Sequence, residues 1–140
     1  MPGVSAHVRV VAVALGVTAV GLAVPAAGAA TGPTTLRIAY FEDGREPETR
    51  IVRTLRCNPV GGDHPRRTAA CRELARLGTS TLRPVPPGTA CAEIYGGAQV
   101  AFVSGLVDGR RIWVRLRRDN GCEIDRWERN WFLVPAGGVR

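Results

Sequence analysis

The residue types in this chain that could do chemistry are its four cysteines, Cys57, Cys71, Cys91 and Cys122. An even number of cysteines in an exported chain is typical of disulfide bonds. Four cysteines allow three pairings, and the sequence alone does not choose among them. Pairing in sequence order would close loops of about 15 and 32 residues. In the chain-entropy account, the two bonds would together stabilise the fold by roughly 6–7 kcal/mol.

A zinc site is the alternative use of these cysteines. Cys57, His64 and Cys71 could supply three ligands, but their spacing matches no common zinc motif and no convincing fourth ligand accompanies them. An enzyme site is not indicated either, because Ser80 and Ser104 have no general base placed beside them by sequence. We therefore predict no metal, no cofactor and no enzymatic activity.

The stretch CAEIYGG, residues 91–97, is the remaining candidate for function. A carboxylate, Glu93, stands two residues after a cysteine and directly before Ile94 and Tyr95, in a segment without regular periodicity. A segment that fits no helix or strand is where binding residues are most often found. This pattern favours recognition of a partner over catalysis.

Residues 1–30 have the features of a signal peptide. A short basic start leads into the apolar run VVAVALGVTAVGLAV, and Ala27 and Ala29 then occupy the small-residue positions that a signal peptidase needs. A membrane anchor is the competing interpretation, but the run is shorter than the roughly 20 residues that span a bilayer. We predict cleavage after Ala29 or Ala30, a secreted extracellular protein, and a single domain over residues 31–140.

The charge is positive, with 19 basic residues against 12 acidic ones, and every basic residue is arginine. A positive balance can indicate nucleic acid or an anionic surface as a partner. Here the arginines are spread along the chain and interleaved with acids, as in RELAR and CEIDRWER. This distribution favours a solvated surface, and we predict neither a nucleic-acid nor a membrane partner.

Alternating side chains predict strands over residues 34–41 and 50–57. Helical spacing predicts a helix over 68–78, with Thr68 as its cap and Gly78 at its end. Its buried face would contain Ala70, Cys71, Leu74 and Leu77.

The clearest element is a hairpin, in which Asp108-Gly109 joins strands over residues 99–107 and 110–117. Its second strand should turn Ile112, Val114 and Leu116 towards the core. The opposite face carries Arg111, Trp113, Arg115 and Arg117, either as a solvated face or as a partner surface.

The remaining segments complete the predicted fold. The prolines of residues 79–90 predict an extended approach to Cys91. A turn at Asn120-Gly121 and a short helix follow, and residues 131–135 are predicted as a last strand. The fold class is therefore α+β, a four- to five-stranded antiparallel sheet with two helices.

Five motifs lie in register along the chain: RCNPVGGDHP, AACRELARLG, CAEIYGG, the VDGRR turn and DNGCEI. In these motifs, and in the order and spacing of all four cysteines, the chain resembles the Streptomyces subtilisin inhibitor family of secreted serine protease inhibitors. The resemblance covers about 80 residues well and the first hairpin loosely. It implies the disulfides Cys57–Cys71 and Cys91–Cys122, a five-stranded sheet with two helices, and a homodimer formed through the sheet.

The resemblance also implies a protease-binding loop at the third cysteine, with Glu93–Ile94 as the scissile bond and Glu93 as the specificity residue. The rest of that loop is Ala90, Cys91 and Ala92 before the bond and Tyr95 and Gly96 after it. Asn120 occupies the position of an asparagine that supports the loop by hydrogen bonding.

Glu93 departs from the family pattern, in which methionine, lysine or arginine is common. A carboxylate in an apolar pocket costs several kcal/mol of desolvation unless it is paired or neutralised. Gly96 and Gly97 could also loosen the trailing side of the loop. The target is then either a glutamate-preferring protease, a glutamyl endopeptidase, or a subtilisin-like protease that tolerates Glu93. The alternative is a secreted binding or structural module that has lost inhibition.

Overall fold

The structure is a computed structural model that describes residue 3 and residues 32–44 and 46–135. The predicted signal peptide lies outside the described residues. The elements are β1 (Thr34–Phe41), β2 (Arg50–Cys57), α1 (Arg67–Leu77), β3 (Val100–Val107), β4 (Arg110–Leu116) and α2 (Gly121–Arg129). Short 3-10 turns lie at Pro47–Thr49 and Ser80–Leu82. In the described part of the chain, no helix is long and apolar enough to cross a membrane.

The four strands form one antiparallel sheet in the order β2-β1-β3-β4. The first two strands have the predicted bounds, and the hairpin of β3 and β4 agrees with prediction to within one residue at its outer ends. Asp108 and Gly109 form its turn with φ of 49° and 74°, a backbone conformation that asparagine, aspartate and glycine adopt most readily. The α+β class with two helices is confirmed, and the described residues contain four strands.

One face of the sheet is covered by both helices, and the core lies between these layers. Its fully buried residues come from all four strands, from α1 and α2, and from the segment after α2. They include Leu36, Ile38, Leu55, Ala70, Leu74, Ala101, Val103, Leu116, Trp127, Phe132 and Leu133. Ile112 and Val114 pack against this cluster, as the alternation in β4 predicted.

The opposite face of the sheet carries no helix in the described part of the chain. Trp113 is 69% exposed on this face, and its ring lies 5.7 Å from that of Phe102. Strand alternation places five arginines here: Arg37, Arg50, Arg56, Arg111 and Arg115. None of the strand residues on this open face is acidic.

The α1 helix is fastened to β2 by the disulfide Cys57–Cys71, which confirms that pairing. Gly78 ends the helix with φ of 58°, as predicted, since glycine reaches this conformation without a Cβ clash. The predicted cap was wrong: Arg66 precedes the first helical turn and makes no side-chain cap, and Thr68 lies inside the helix.

Residues 131–135 are not a strand, which corrects the prediction. The buried side chain of Asn130 donates to the carbonyl oxygens of Thr81 at 2.9 Å and Arg126 at 2.8 Å. Its own backbone oxygen accepts from Leu133 at 2.9 Å, so the chain turns instead of extending. The apolar run that resembled a strand is therefore a turn whose side chains fill the core.

His64 is 2% exposed and joins this turn to the segment before α1. Its Nε2 lies 3.1 Å from the carbonyl oxygen of Leu133, and its Nδ1 accepts from the backbone N–H of Arg66 at 3.2 Å. The ring is therefore neutral with its proton on Nε2. Burial lowers the pKa of His64 below its ordinary value of 6.5, and the positive charge of Arg66 acts in the same direction.

Stability should accordingly fall in mildly acidic solution. Because the folded pKa of His64 is depressed, the unfolded chain binds a proton first, and unfolding free energy decreases as pH drops below about 6.5. Urea unfolding between about pH 7.5 and about pH 5 should show this slope, and His64→Gln should remove most of it. An equal slope in both proteins would contradict the assignment.

Candidate functional site

The segment from Ala90 to Gly97 contains no helix or strand and lies on the surface at one end of the sheet. Ala90, Ala92 and Glu93 are exposed, Ile94 is 55% exposed and Tyr95 is 71% exposed. Two large apolar side chains that face solvent in succession are unusual for a folded domain. They are typical of a contact surface for another molecule.

The leading side of this loop is held covalently. The disulfide Cys91–Cys122 joins it to the first turn of α2, with the two Cα atoms 5.4 Å apart. This confirms the second implied pairing. Glu93 therefore follows, by two residues, a position that is bonded to the helix.

Backbone hydrogen bonds place the next residues against the start of the same helix. The carbonyl oxygen of Ala92 accepts from Gly121 N at 2.8 Å and from Ile94 N at 2.9 Å. Glu93 is thus the central residue of a three-residue turn. A Cβ on Gly121 would lie 3.2 Å from the Cβ of Ala92, so a side chain at this position would push the loop outward.

The trailing side is held by Arg118, which is 3% exposed. Gly96 N donates to the carbonyl oxygen of Arg118 at 2.7 Å, and Nη1 of the same arginine donates back to the carbonyl oxygen of Gly96. A Cβ on Gly96 would meet Ile124 Cδ1 at 2.8 Å. The expected loosening at Gly96 is therefore corrected: both of its backbone polar groups are bonded, and glycine is needed for close packing.

Sequence reasoning did not single out Arg118. The alternation along β4 was the available signal, because Leu116 points inward, Arg117 outward, and the next residue inward again. Arginine is usually a surface residue, so an inward position does not predict a buried arginine unless its hydrogen-bond partners are known. Those partners, Gly96 and Gln99, lie about 20 residues away along the chain.

Asn120 lies beside the loop but caps α2. Its Oδ1 accepts from Glu123 N at 3.0 Å, which satisfies a free amide of the first helical turn. The predicted turn at Asn120-Gly121 is therefore a helix start. Asn120 also lines the groove beside Glu93 and Ile94.

The helix that carries these anchors is itself fixed to the body of the protein. The buried Arg126 of α2 donates to the carbonyl oxygens of Leu82 at 2.8 Å and Arg115 at 2.9 Å. It also pairs with Glu123 at 3.1 Å. Charge-assisted hydrogen bonds of this kind restrict motion of the helix relative to β4 and to the segment that leads into the loop.

Metal binding has no support in this geometry. Cys57 and Cys71, the thiols of the alternative zinc site, are bonded to each other. Across residues 32–44 and 46–135, no group of three or more histidine, cysteine or acidic side chains could hold a metal ion.

An exposed loop that is crosslinked on one side and hydrogen-bonded on both, on a small α+β body, is typical of proteins that present a preformed peptide to a partner. The sequence profile of the subtilisin inhibitor-like family matches residues 32–120. The chain belongs to this family. The family consists of inhibitors, so the chain is an inhibitor-type protein and not an enzyme.

Two relatives illustrate the similarity. Subtilisin inhibitor-like protein 1 of Streptomyces cacaoi is 40% identical over 84 residues, which cover 57% of this chain and 74% of that protein. Sermetstatin of Streptomyces caespitosus, solved in complex with subtilisin of Bacillus licheniformis, is 25% identical, with a TM-score of 0.50. That match covers 75% of this chain and 99% of sermetstatin.

Proposed function

We propose that this chain is a secreted serine protease inhibitor that presents Glu93–Ile94 to its target as a scissile bond. One observation carries the proposal: this bond lies in an exposed turn that is anchored on both sides to one rigid base. The leading anchor is the disulfide at Cys91, and the trailing anchor is the pair of hydrogen bonds between Gly96 and Arg118.

The geometry suits a standard inhibitory mechanism. A protease binds an extended peptide as an added strand and places alternate side chains in its pockets. An inhibitor whose loop is already held in one conformation binds with less loss of conformational entropy. When the catalytic serine attacks the Glu93 carbonyl carbon, the amine of Ile94 is released but stays close to the acyl group. Religation then outpaces hydrolysis because the effective concentration of that amine is high.

Glu93 is the proposed specificity residue, and two kinds of protease fit it. Its side chain is exposed and makes no ion pair with any residue that the structure describes, so its carboxylate is available to a pocket on the target. A glutamyl endopeptidase would offer that pocket cationic or hydroxyl donors. The complex of sermetstatin with subtilisin supports a subtilisin-like target instead. The alternative remains a module of the same fold that has lost inhibition.

Titration of the oxidised protein against a glutamyl endopeptidase, subtilisin and trypsin tests these possibilities. Stoichiometric inhibition of the first or second enzyme is the expected result, with trypsin unaffected because its acidic pocket repels Glu93. If all three enzymes stay fully active and cut the loop rapidly, the protein is a lapsed inhibitor.

Secretion belongs to the same proposal. Two disulfides are formed, as is usual for proteins of oxidising compartments. Removal of residues 1–30 by a signal peptidase would leave the whole of the inhibitor domain. N-terminal sequencing of the protein from culture medium should give a start at Ala30 or Thr31, whereas retention of the leader in the cell would contradict export.

A homodimer through the open face of the sheet is also proposed, and its formation should depend on salt. A two-fold interface sets the same surface against itself, so the five arginines of this face would meet their copies. Exposed charges of this kind are screened by salt, and sedimentation should show tighter association as sulfate is raised from low ionic strength. Trp113→Ala should weaken the dimer, whereas Trp131→Ala, at an exposed tryptophan away from this face, should not. A monomer at every salt concentration would contradict the proposal.

A further inference from the structure

We propose that Arg118 is the positioning residue for the amine side of the loop and that its contacts, together with the disulfide on the other side, favour religation of the cleaved bond over hydrolysis. The inference rests on the proposed function. It deepens that function by naming the residue that keeps the released amine of Ile94 in place.

The contacts of Arg118 surround Gly96. Its backbone oxygen accepts from Gly96 N, and its Nη1 donates to the carbonyl oxygen of Gly96 and to Gln99 Oε1, the latter at 3.3 Å. Its Nη2 lies 3.8 Å from the carboxylate of Glu128 on α2. One buried guanidinium thus joins the trailing half of the loop to the same helix that carries the disulfide.

The two halves of the loop are held by different means, which gives Arg118 its importance. The residues before the scissile bond are covalently attached through Cys91 and Cys122. The residues after it have no disulfide. The next regular element along the chain is β3, which begins at Val100. Four residues, 96–99, separate Ile94 and Tyr95 from that strand, and the guanidinium bonds to the first and the last of them.

Because the chain between Ile94 and Gly96 is short, this contact also limits the positions that the leaving amine can reach. Ile94 is two residues from Gly96, so a fixed Gly96 keeps the new amine within about 7 Å of Gly96 itself. Without the guanidinium, Gly96 would keep its N–H bond to the backbone of Arg118 but lose the bond to its carbonyl oxygen, and the amine could move over a larger volume. Its effective concentration near the acyl carbon would then fall, and water would compete better.

A purely structural role for Arg118 would predict that replacing this residue destabilises the fold. Burying a guanidinium costs desolvation, and the ion-pair partner that the substitution leaves behind, Glu128, has a side chain that is 53% exposed and stays solvated. Arg118→Met should therefore keep the fold. Arg118 is better explained by its contacts with Gly96 and Gln99 than by a contribution to the stability of the core.

The test compares Arg118→Met with Arg117→Met, its neighbour, which pairs with Asp119 at 2.9 Å and with Glu123 at 3.6 Å. Each protein is incubated with a catalytic amount of the protease that the unmodified protein inhibits best, and cleavage of Glu93–Ile94 is followed by mass spectrometry. Arg118→Met should be hydrolysed about 10- to 100-fold faster, the factor expected for loss of a hydrogen bond to a charged group. Arg117→Met should behave as the unmodified protein.

Amide hydrogen exchange of the free proteins supplies a readout that needs no protease. The amides of residues 96–98 should exchange faster in Arg118→Met, and Arg118→Lys should restore only part of the protection because an ammonium group lacks the planar fork. Unchanged exchange, or unchanged hydrolysis despite faster exchange, would overturn the proposal. If the unmodified protein inhibits no protease, the proposed function fails separately, and exchange alone still decides whether Arg118 holds this segment.

Discussion

Glu93→Met should strengthen inhibition of subtilisin by at least about 100-fold and abolish preference for a glutamyl endopeptidase. The exposed carboxylate would have to lose its water shell in an apolar pocket, at a cost of ~3 kcal/mol or more, and each 1.4 kcal/mol is a factor of about ten in affinity. Methionine removes that cost and adds apolar contact. Inhibition constants measured for both enzymes at one pH and ionic strength give the comparison directly.

Glu93→Gln separates charge from shape. It keeps the length and branching of the side chain but removes its charge, so it should recover part of the gain against subtilisin and lose affinity for the glutamyl endopeptidase. If neither substitution changes the relative inhibition of the two enzymes, Glu93 does not enter the specificity pocket.

Removal of the disulfide at the loop should convert the inhibitor into a substrate. Cys91 and Cys122 are 31 residues apart, and replacing both by serine should lower stability by ~4 kcal/mol in the chain-entropy account. More importantly, the residues before the scissile bond would lose their covalent anchor. We expect initial binding to weaken and cleavage at Glu93–Ile94 to proceed to completion.

The other disulfide is the matched control. Cys57 and Cys71 are 14 residues apart, and their double serine variant should lose a comparable ~3 kcal/mol while leaving the loop anchored. At a temperature where both variants are fully folded, only the loop variant should be consumed. Equal hydrolysis of the two would mean that global stability, and not the local crosslink, protects the bond.

The parts of the fold that the sequence predicts well depend on local rules. The alternation in 34–41 and 50–57, the Asp108-Gly109 turn and the glycine after α1 each determine their own conformation within a few residues. The predicted strand at 131–135 was wrong because its conformation depends on Asn130, whose buried amide bonds to the distant Thr81. A pattern of apolar residues alone does not show that contact.

The candidate site likewise has a part that the sequence predicts and a part that it does not. The family resemblance implies a loop over residues 90–96, but the support of that loop depends on residues that are close only in the folded chain. Gly121 approaches the loop from the start of α2 and Arg118 from the segment just before it, across about 25 residues of sequence. Gly96 reads as a flexible residue in isolation, whereas the fold makes it one of the most restricted positions of the segment.

The most direct test of the account is to identify the bond that a target protease cuts and to ask whether it closes again. Brief treatment with a catalytic amount of protease at mildly acidic pH should give one product, heavier by one water, with a new N-terminus at Ile94. The disulfide at Cys91 should keep its two pieces together until reduction. Purified cleaved protein returned to the enzyme should regenerate intact chain and reach the same ratio of forms as a sample that started intact. A first cut at any other bond, or cleaved protein that never recloses, would contradict the account.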